Sequence, residues 1–172
     1  DWADAPTEHC EGDAALLALA SEGIDALNRQ YPGVGQDTFF LFHRPRLWNP
    51  QERMWMGYER KRGKLGALNA LLRGQADAGF LKVVGHTAPL QQVRYVITLD
   101  TDTQLQRDTA RKLAATLAHP LNQPRVDARL GRVVEGYGIL QPSIAVSVPG
   151  EHASHYEKLC GGEPGIDPYT RT

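Results

Sequence analysis

Three things are scarce in this 172-residue sequence: cysteine, long apolar runs and an excess of either charge. The two cysteines, Cys10 and Cys160, form no C-x-x-C pair. That excludes a disulfide-dense scaffold and the usual thiolate zinc motifs. A reduced, cytosolic setting is the simplest reading, with a single disulfide left open. No apolar run approaches the roughly 20 residues needed to cross a bilayer. The opening "DWADAPTEHCEGD" is acidic and polar, without the apolar centre of a secretory signal. Lys+Arg number 19 and Asp+Glu 20, a formal net charge of -1. A dedicated nucleic-acid binder normally carries a basic excess, so that class is disfavoured, although a local anion site is not. Internal repeats and low-complexity segments are absent too. The hydrophobic fraction, 41%, is ordinary and lets one domain bury a sizeable core. The start at Asp1 and the stop in "GIDPYTRT" read as cuts through a longer polypeptide, so the chain is expected to be an excised fragment.

What is present alternates between helical and strand-like patterns. Asp13 can cap a helix running to about Arg29, with Leu16, Ala20, Ile24 and Leu27 at helical spacing. "TFFLFHR", Thr38 to Arg44, is an apolar and aromatic run expected to be a buried strand. Leu65, Leu68 and Leu72 predict a helix over Lys64 to Leu72, ended by Gly74. A weak strand is expected at Phe80 to Val84 and a buried one at Arg94 to Leu99. Asp108 is expected to cap a helix with Ala110, Leu113, Ala114 and Leu117 on one face, stopped by His119-Pro120. "RVVEGYGILQPSIAVSVPG" supplies one or two further strands, and "HASHYEKLCGG" a short helix. Helices alternating with buried strands imply an α/β sandwich with a mostly parallel central sheet, flanked by helices. Ligands bind beyond the carboxyl ends of strands in such sheets.

Two carboxylates stand at one such end, in "VRYVITLDTDTQLQRD". Side chains alternate along extended backbone, so Asp100 and Asp102 share a side. Like charges that close repel unless a cation sits with them. Carboxylate oxygens suit Mg²⁺ or Mn²⁺, and Mg²⁺ is commonly held by one or two carboxylates plus substrate phosphates. The plainer alternative is a polar turn in which Asp102 opens an Asx-turn. A second element is basic: "YERKRGKLGALN" gathers Arg60, Lys61, Arg62 and Lys64 ahead of a helix. Gly63 and Gly66 would let the backbone approach a ligand there. Such a loop is a reasonable anion site, against the alternative of a solvated basic face.

"FFLFHRPRLWNPQERMWMGYERKRGKLGALNALLRG", "VRYVITLDTDTQLQRD", "LAHPLNQPRVD" and "VVEGYGILQPSIAVSVPG", in this order, resemble the glycosyltransferase domain of cyclic β-1,2-glucan synthases, which are large bacterial membrane proteins. The resemblance covers most of the chain. It implies part of a GT-A-like, nucleotide-diphospho-sugar transferase fold, with residues 1–172 forming a single partial domain. It also implies an inverting transfer of glucose from UDP-glucose, Mg²⁺ or Mn²⁺ as cofactor, and a growing β-1,2-glucan as acceptor. The setting implied is the cytoplasmic face of the inner membrane, beside the rest of a membrane-embedded synthase. Asp100 and Asp102 match the family's metal-holding Asp-x-Asp. Lys64 to Asn69, "KLGALN", is similar to the "KAGxxN" stretch whose lysine reaches the donor phosphates. Gln141, in "GILQP", resembles the glutamine bordering the sugar and acceptor region, and Asp1 the aspartate that meets the uracil. Thr101 and Gln106 depart from the expected Ala and Pro. The family's first strand and its catalytic base would lie outside these residues, so no catalytic residue is named and the chain is expected to be inactive alone.

Other candidates are weaker. His152, His155 and Cys160 are loosely spaced and lack an evident fourth zinc ligand. His119 serves as a helix stop, and His43 is expected to be a satisfied strand-end histidine. Trp48, Trp55 and Tyr58 could stack on a sugar, but core packing is expected for at least two of them. Two rival classes remain: a Mg²⁺-dependent phosphatase-like α/β domain and a non-catalytic interaction module. The phosphatase needs a lysine downstream of its Asp-x-Asp, whereas "KRGK" lies upstream. Metal-dependent UDP binding separates the leading reading from the interaction module, and hydrolysis of a generic phosphoester would support the phosphatase.

Overall fold

Residues 1–34, 36–75, 78–101, 103–142 and Ser154 are described by the structure, a computed structural model. The chain divides into two compact units, Asp1–Val96 and Ile97–Thr172.

The first unit opens with an extended segment and the helix α1, Asp13–Gln30, where helical spacing was expected. Asp13 is not its side-chain cap. Gly12, at φ 89°, precedes the helix, and the Asp13 carboxylate instead accepts from the Cys10 amide at 2.8 Å and pairs with Arg46. Asn28 ties the end of α1 to the chain ahead of the first strand. Its Oδ1 accepts from the amides of Thr38 and Phe39, and its Nδ2 donates to the Phe39 carbonyl at 2.9 Å. The strand β1, Leu41–His43, is a short part of the expected run. Then β2, Leu47–Asn49, and β3, Met54–Met56, form a hairpin. Its turn is set by Asn49, whose Oδ1 accepts from the Gln51 and Glu52 amides, an Asx-turn missed at the sequence level. The helix α2, Arg60–Leu72, begins a turn earlier than the leucine spacing indicates. Its end follows the Schellman pattern. Gly74, at φ 80°, donates to the Leu71 carbonyl, and Gln75 donates to that of Ala70. Finally β4, Lys82–Val84, within the expected weak strand, pairs with β1.

The pairing corrects the expected sheet. Among the described residues β1 pairs β4, β2 pairs β3, and every pair is antiparallel and two-stranded. Parallel strands need a covered crossover. The short loop between β2 and β3 permits only a hairpin, and β1 meets β4 in antiparallel register, Leu41 opposite Val84. The N-terminal segment adds one antiparallel bridge, Ala5 to Trp55, with both amides bonded at 2.9 Å. Among the described residues the expected strand Arg94 to Leu99 carries no ladder. Val93, Tyr95, Val96, Ile97 and Leu99 stay between 41% and 48% exposed. Local β propensity cannot by itself supply a hydrogen-bonding neighbour.

The second unit contains α3, Thr109–Ala118, which stops at His119-Pro120 as expected and runs into a 3₁₀ turn at Pro120–Asn122. The expected cap is not made: Asp108 forms no side-chain capping bond and instead lies 3.4 Å from Arg111. A hairpin follows, β5 Arg125–Asp127 with β6 Arg132–Glu135. Asp127 Oδ1 accepts the Arg129 and Leu130 amides in its turn, and Arg125 pairs with Glu135 across the strands at 2.6 Å. The short helix expected in "HASHYEKLCGG" and the His152, His155 and Cys160 group lie outside the described residues.

Candidate functional site

The buried interior of the first unit is unusual in being basic. Among the described residues Ala5, Met56 and Val84 are its buried apolar side chains, while His43, Arg44 and Arg46 are buried to 5%, 9% and 5% exposure. Burying a guanidinium costs heavily unless it is paired. Both arginines are paired, and each holds the N-terminal segment. Arg44 Nε donates to Asp1 Oδ1 at 3.0 Å and its Nη2 to Asp1 Oδ2 at 2.6 Å, a two-pronged contact. The remaining Arg44 donors reach the carbonyls of Tyr58, at 3.2 Å, and Arg60, at 3.0 Å. Arg46 pairs with Asp13, bonds the carbonyls of Ala3 and Glu8, and lies over the Trp2 ring. Its bond holds the Asp13 carboxyl below the usual carboxylate range. On the surface, Arg60 bridges Asp4 and Glu52 at 2.9 Å and 2.7 Å.

These contacts frame an open cleft of about 390 Å³ where Asp1, Asp4, Gly57, Arg60, Lys61 and Lys64 meet. The entrance to α2 forms one wall. Glu59 and Arg60 there have φ 54° and 46°, left-handed backbone that ordinary side chains rarely adopt. Its lining carries three basic side chains, Arg60, Lys61 and Lys64, beside the carboxylates of Asp1 and Asp4. A helix entrance with lysines around it can take an anion.

The sequence-derived candidates divide between the two units. Asp1 and Lys64 line the same cleft. Asn69 is on α2 and exposed, five residues from Lys64 and therefore on a different face. Asp100 and Gln141 belong to the second unit and are exposed. The Asp100 carbonyl accepts from the Thr103 amide at 3.1 Å, closing a turn. Asp102 lies outside the described residues. Among the described residues no group of three or more His, Cys, Asp or Glu side chains is gathered as a metal site. The donor chemistry at Asp100 is that of a hard oxygen ligand, compatible with Mg²⁺ or Mn²⁺.

Several expectations are revised by the geometry. A Cβ on Gly63 would strike the Tyr58 carbonyl and come within 2.7 Å of Arg44 Nη1, so this glycine admits Arg44 rather than a ligand. Gly66 faces open space. His43 is not satisfied: its buried Nε2 has no hydrogen-bond partner among the described residues, and its ring sits 4.5 Å from that of Trp2, edge to face. Of the three aromatics weighed for the core, Trp48 and Tyr58 are about half exposed and Trp55 is part-buried. Trp48 and Trp55 pair across the β2–β3 hairpin at 5.9 Å, which satisfies both rings without a core. The sequence reading missed Arg44 and Arg46. Their signal is the "HRPR" alternation, two arginines on one side of an extended segment just after an apolar run.

Comparison with known proteins then bears on identity. The chain is 45% identical, over its entire length, to the cyclic beta-(1,2)-glucan synthase NdvB of Rhizobium meliloti (strain 1021). The chain matches a segment of a cyclic β-1,2-glucan synthase. It spans about 6% of that relative's length. No family model matches it, and no solved structure matches it significantly. The resemblance read from the motifs therefore holds over the whole chain. Among the described residues, no helix is long and apolar enough to cross a membrane.

Proposed function

We propose that this chain is the donor-binding part of a larger inverting glucosyltransferase that uses UDP-glucose to build β-1,2-glucan. The single observation that carries the reading is the 45% identity along the whole chain to a cyclic β-(1,2)-glucan synthase. The cleft that Asp1 and Lys64 line together supports it. In this reading Lys64 lies beside the donor diphosphate and Asp1 accepts a hydrogen bond from the uracil imide. Asn69 and Gln141 complete the donor and sugar contacts. Asp100 and Asp102 would hold Mg²⁺ or Mn²⁺, which when bound neutralises charge on the departing diphosphate. An acceptor hydroxyl forms the new bond at the anomeric carbon, and the bond to the diphosphate breaks, its electron pair leaving with UDP. No residue of this chain is assigned as the base that takes the hydroxyl proton. The GT-A-type fold and the cytoplasmic membrane-associated setting belong to the same proposal and rest on the sequence resemblance.

The test is donor dependence in the full-length protein. A charge-assisted phosphate contact is worth on the order of 1.5–3 kcal/mol, so Lys64→Ala should weaken UDP-glucose use by about tenfold or more. Arg73→Ala, at the opposite end of α2, should do much less. Equal, small effects of the two would return Lys64 to a solvated basic face. Hydrolysis of a generic phosphoester without glucan formation would favour the phosphatase-like alternative.

A further inference from the structure

We infer that Arg44 is the positioning residue of the donor cleft, fixing Asp1 and the α2 entrance in one frame. The inference rests on the donor-binding reading and adds a residue that the sequence motifs did not identify. Four observations carry it. Arg44 is buried, and its Nε, Nη1 and Nη2 all bond: a fork on the Asp1 carboxylate, plus single bonds to the Tyr58 and Arg60 carbonyls. The two carbonyls it reaches, of Tyr58 and Arg60, bracket the left-handed pair Glu59 and Arg60, a conformation that persists only where surrounding contacts over-determine it. Gly57 leaves room for Asp1: a Cβ there would lie 2.6 Å from Oδ2. Gly63 leaves room for Arg44 in the same way. Both glycines and the arginine thus define where the Asp1 carboxylate sits relative to the helix that carries Lys64.

The chemistry also suits the task. A carboxylate has about four acceptor positions, and the guanidinium fork engages both oxygens while leaving acceptor capacity on each. Asp1 can therefore be held by Arg44 and still take an N–H from a ligand in the cleft. A lysine could supply the charge but not the planar fork.

The experiment measures KM for UDP-glucose and kcat in the full-length protein for Arg44→Lys, Gly57→Ala, Lys64→Ala and the Arg44→Lys/Lys64→Ala double variant. Arg44→Lys is expected to raise KM about tenfold with kcat changed less than about twofold, as loss of a charge-assisted fork predicts. Gly57→Ala displaces the same carboxylate with Arg44 intact, and is expected to raise KM in the same sense. It keeps the test decisive if Arg44→Lys does not fold. Arg44 and Lys64 should be non-additive, because a shifted helix entrance has already spoiled the lysine contact. A strong Lys64→Ala effect beside unchanged KM in Arg44→Lys and Gly57→Ala would overturn the inference and spare the donor reading. So would a fall in kcat alone, or full additivity. Neutral Lys64→Ala would remove the donor reading and this inference with it.

Discussion

His43 shows how one side chain converts burial into a pH response. Burial, chiefly, lowers its pKa and the positive charge of Arg46 adds to this, while Asp13 opposes them. Lys82 is its partner in the facing strand, and Trp2 covers its ring. The folded pKa thus lies below the unfolded value of about 6.5. Both states are neutral above that value, so the stabilisation is complete there. As pH falls below it the unfolded chain binds the proton first, and stability declines until the folded pKa is passed. The urea midpoint of the chain should therefore drop between about pH 7.5 and about pH 5.5. His43→Phe keeps an aromatic ring against Trp2 and removes the titration, so its midpoint should fall less over that interval. Identical slopes for both proteins would show that His43 does not titrate with unfolding. The burial of Arg44 and Arg46 belongs to this scale too, and was hard to read in advance. Arginine in a sequence signals surface, and only the distant acidic partners Asp1 and Asp13 make the interior tolerable.

Elements defined by local chemistry were legible, and those defined by a distant neighbour were not. The leucine spacing of α1 and α2, the His119-Pro120 stop of α3 and Gly74 after α2 all act within a turn or two of the chain. The hairpin pairings are not legible because Asn49 and Asp127 set their turns through side-chain bonds, without the Asn-Gly signal of a two-residue hairpin. The run from Arg94 to Leu99 was overread because β-branched residues advertise a strand whether or not a partner is at hand. Two glycines, one inside α2 and one just past its end, give an opposed pair of predictions. Gly74 has positive φ with nothing near its would-be Cβ, so Gly74→Ala should destabilise by about 1 kcal/mol through backbone strain alone. Gly66 lies inside the helix, also facing open space, so Gly66→Ala should stabilise by roughly 0.5–1 kcal/mol. Denaturant unfolding of both variants checks the signs, and a shared sign would contradict the assigned helix end.

At the scale of the whole molecule, the architecture and the family resemblance give different kinds of information. The α/β composition was anticipated, but the described strands form antiparallel pairs rather than a parallel central sheet. The resemblance was carried by long motifs in order, which survive comparison better than a topology inferred from alternation, and a 45% identical relative bears it out. Of the proposed donor contacts, Asp1 and Lys64 share one cleft, while Asp100 stands in the other unit at the head of a turn. The central claim is that the chain handles a nucleotide-sugar donor, with its Asp-x-Asp carboxylates at the diphosphate. The measurement that tests it most directly is polymer formation from radiolabelled UDP-glucose by the full-length protein, wild type beside Asp102→Asn, with circular dichroism to show that both are folded. Removing one carboxylate charge should abolish β-1,2-glucan synthesis while the fold is retained. Wild-type turnover by a folded Asp102→Asn protein would contradict the account.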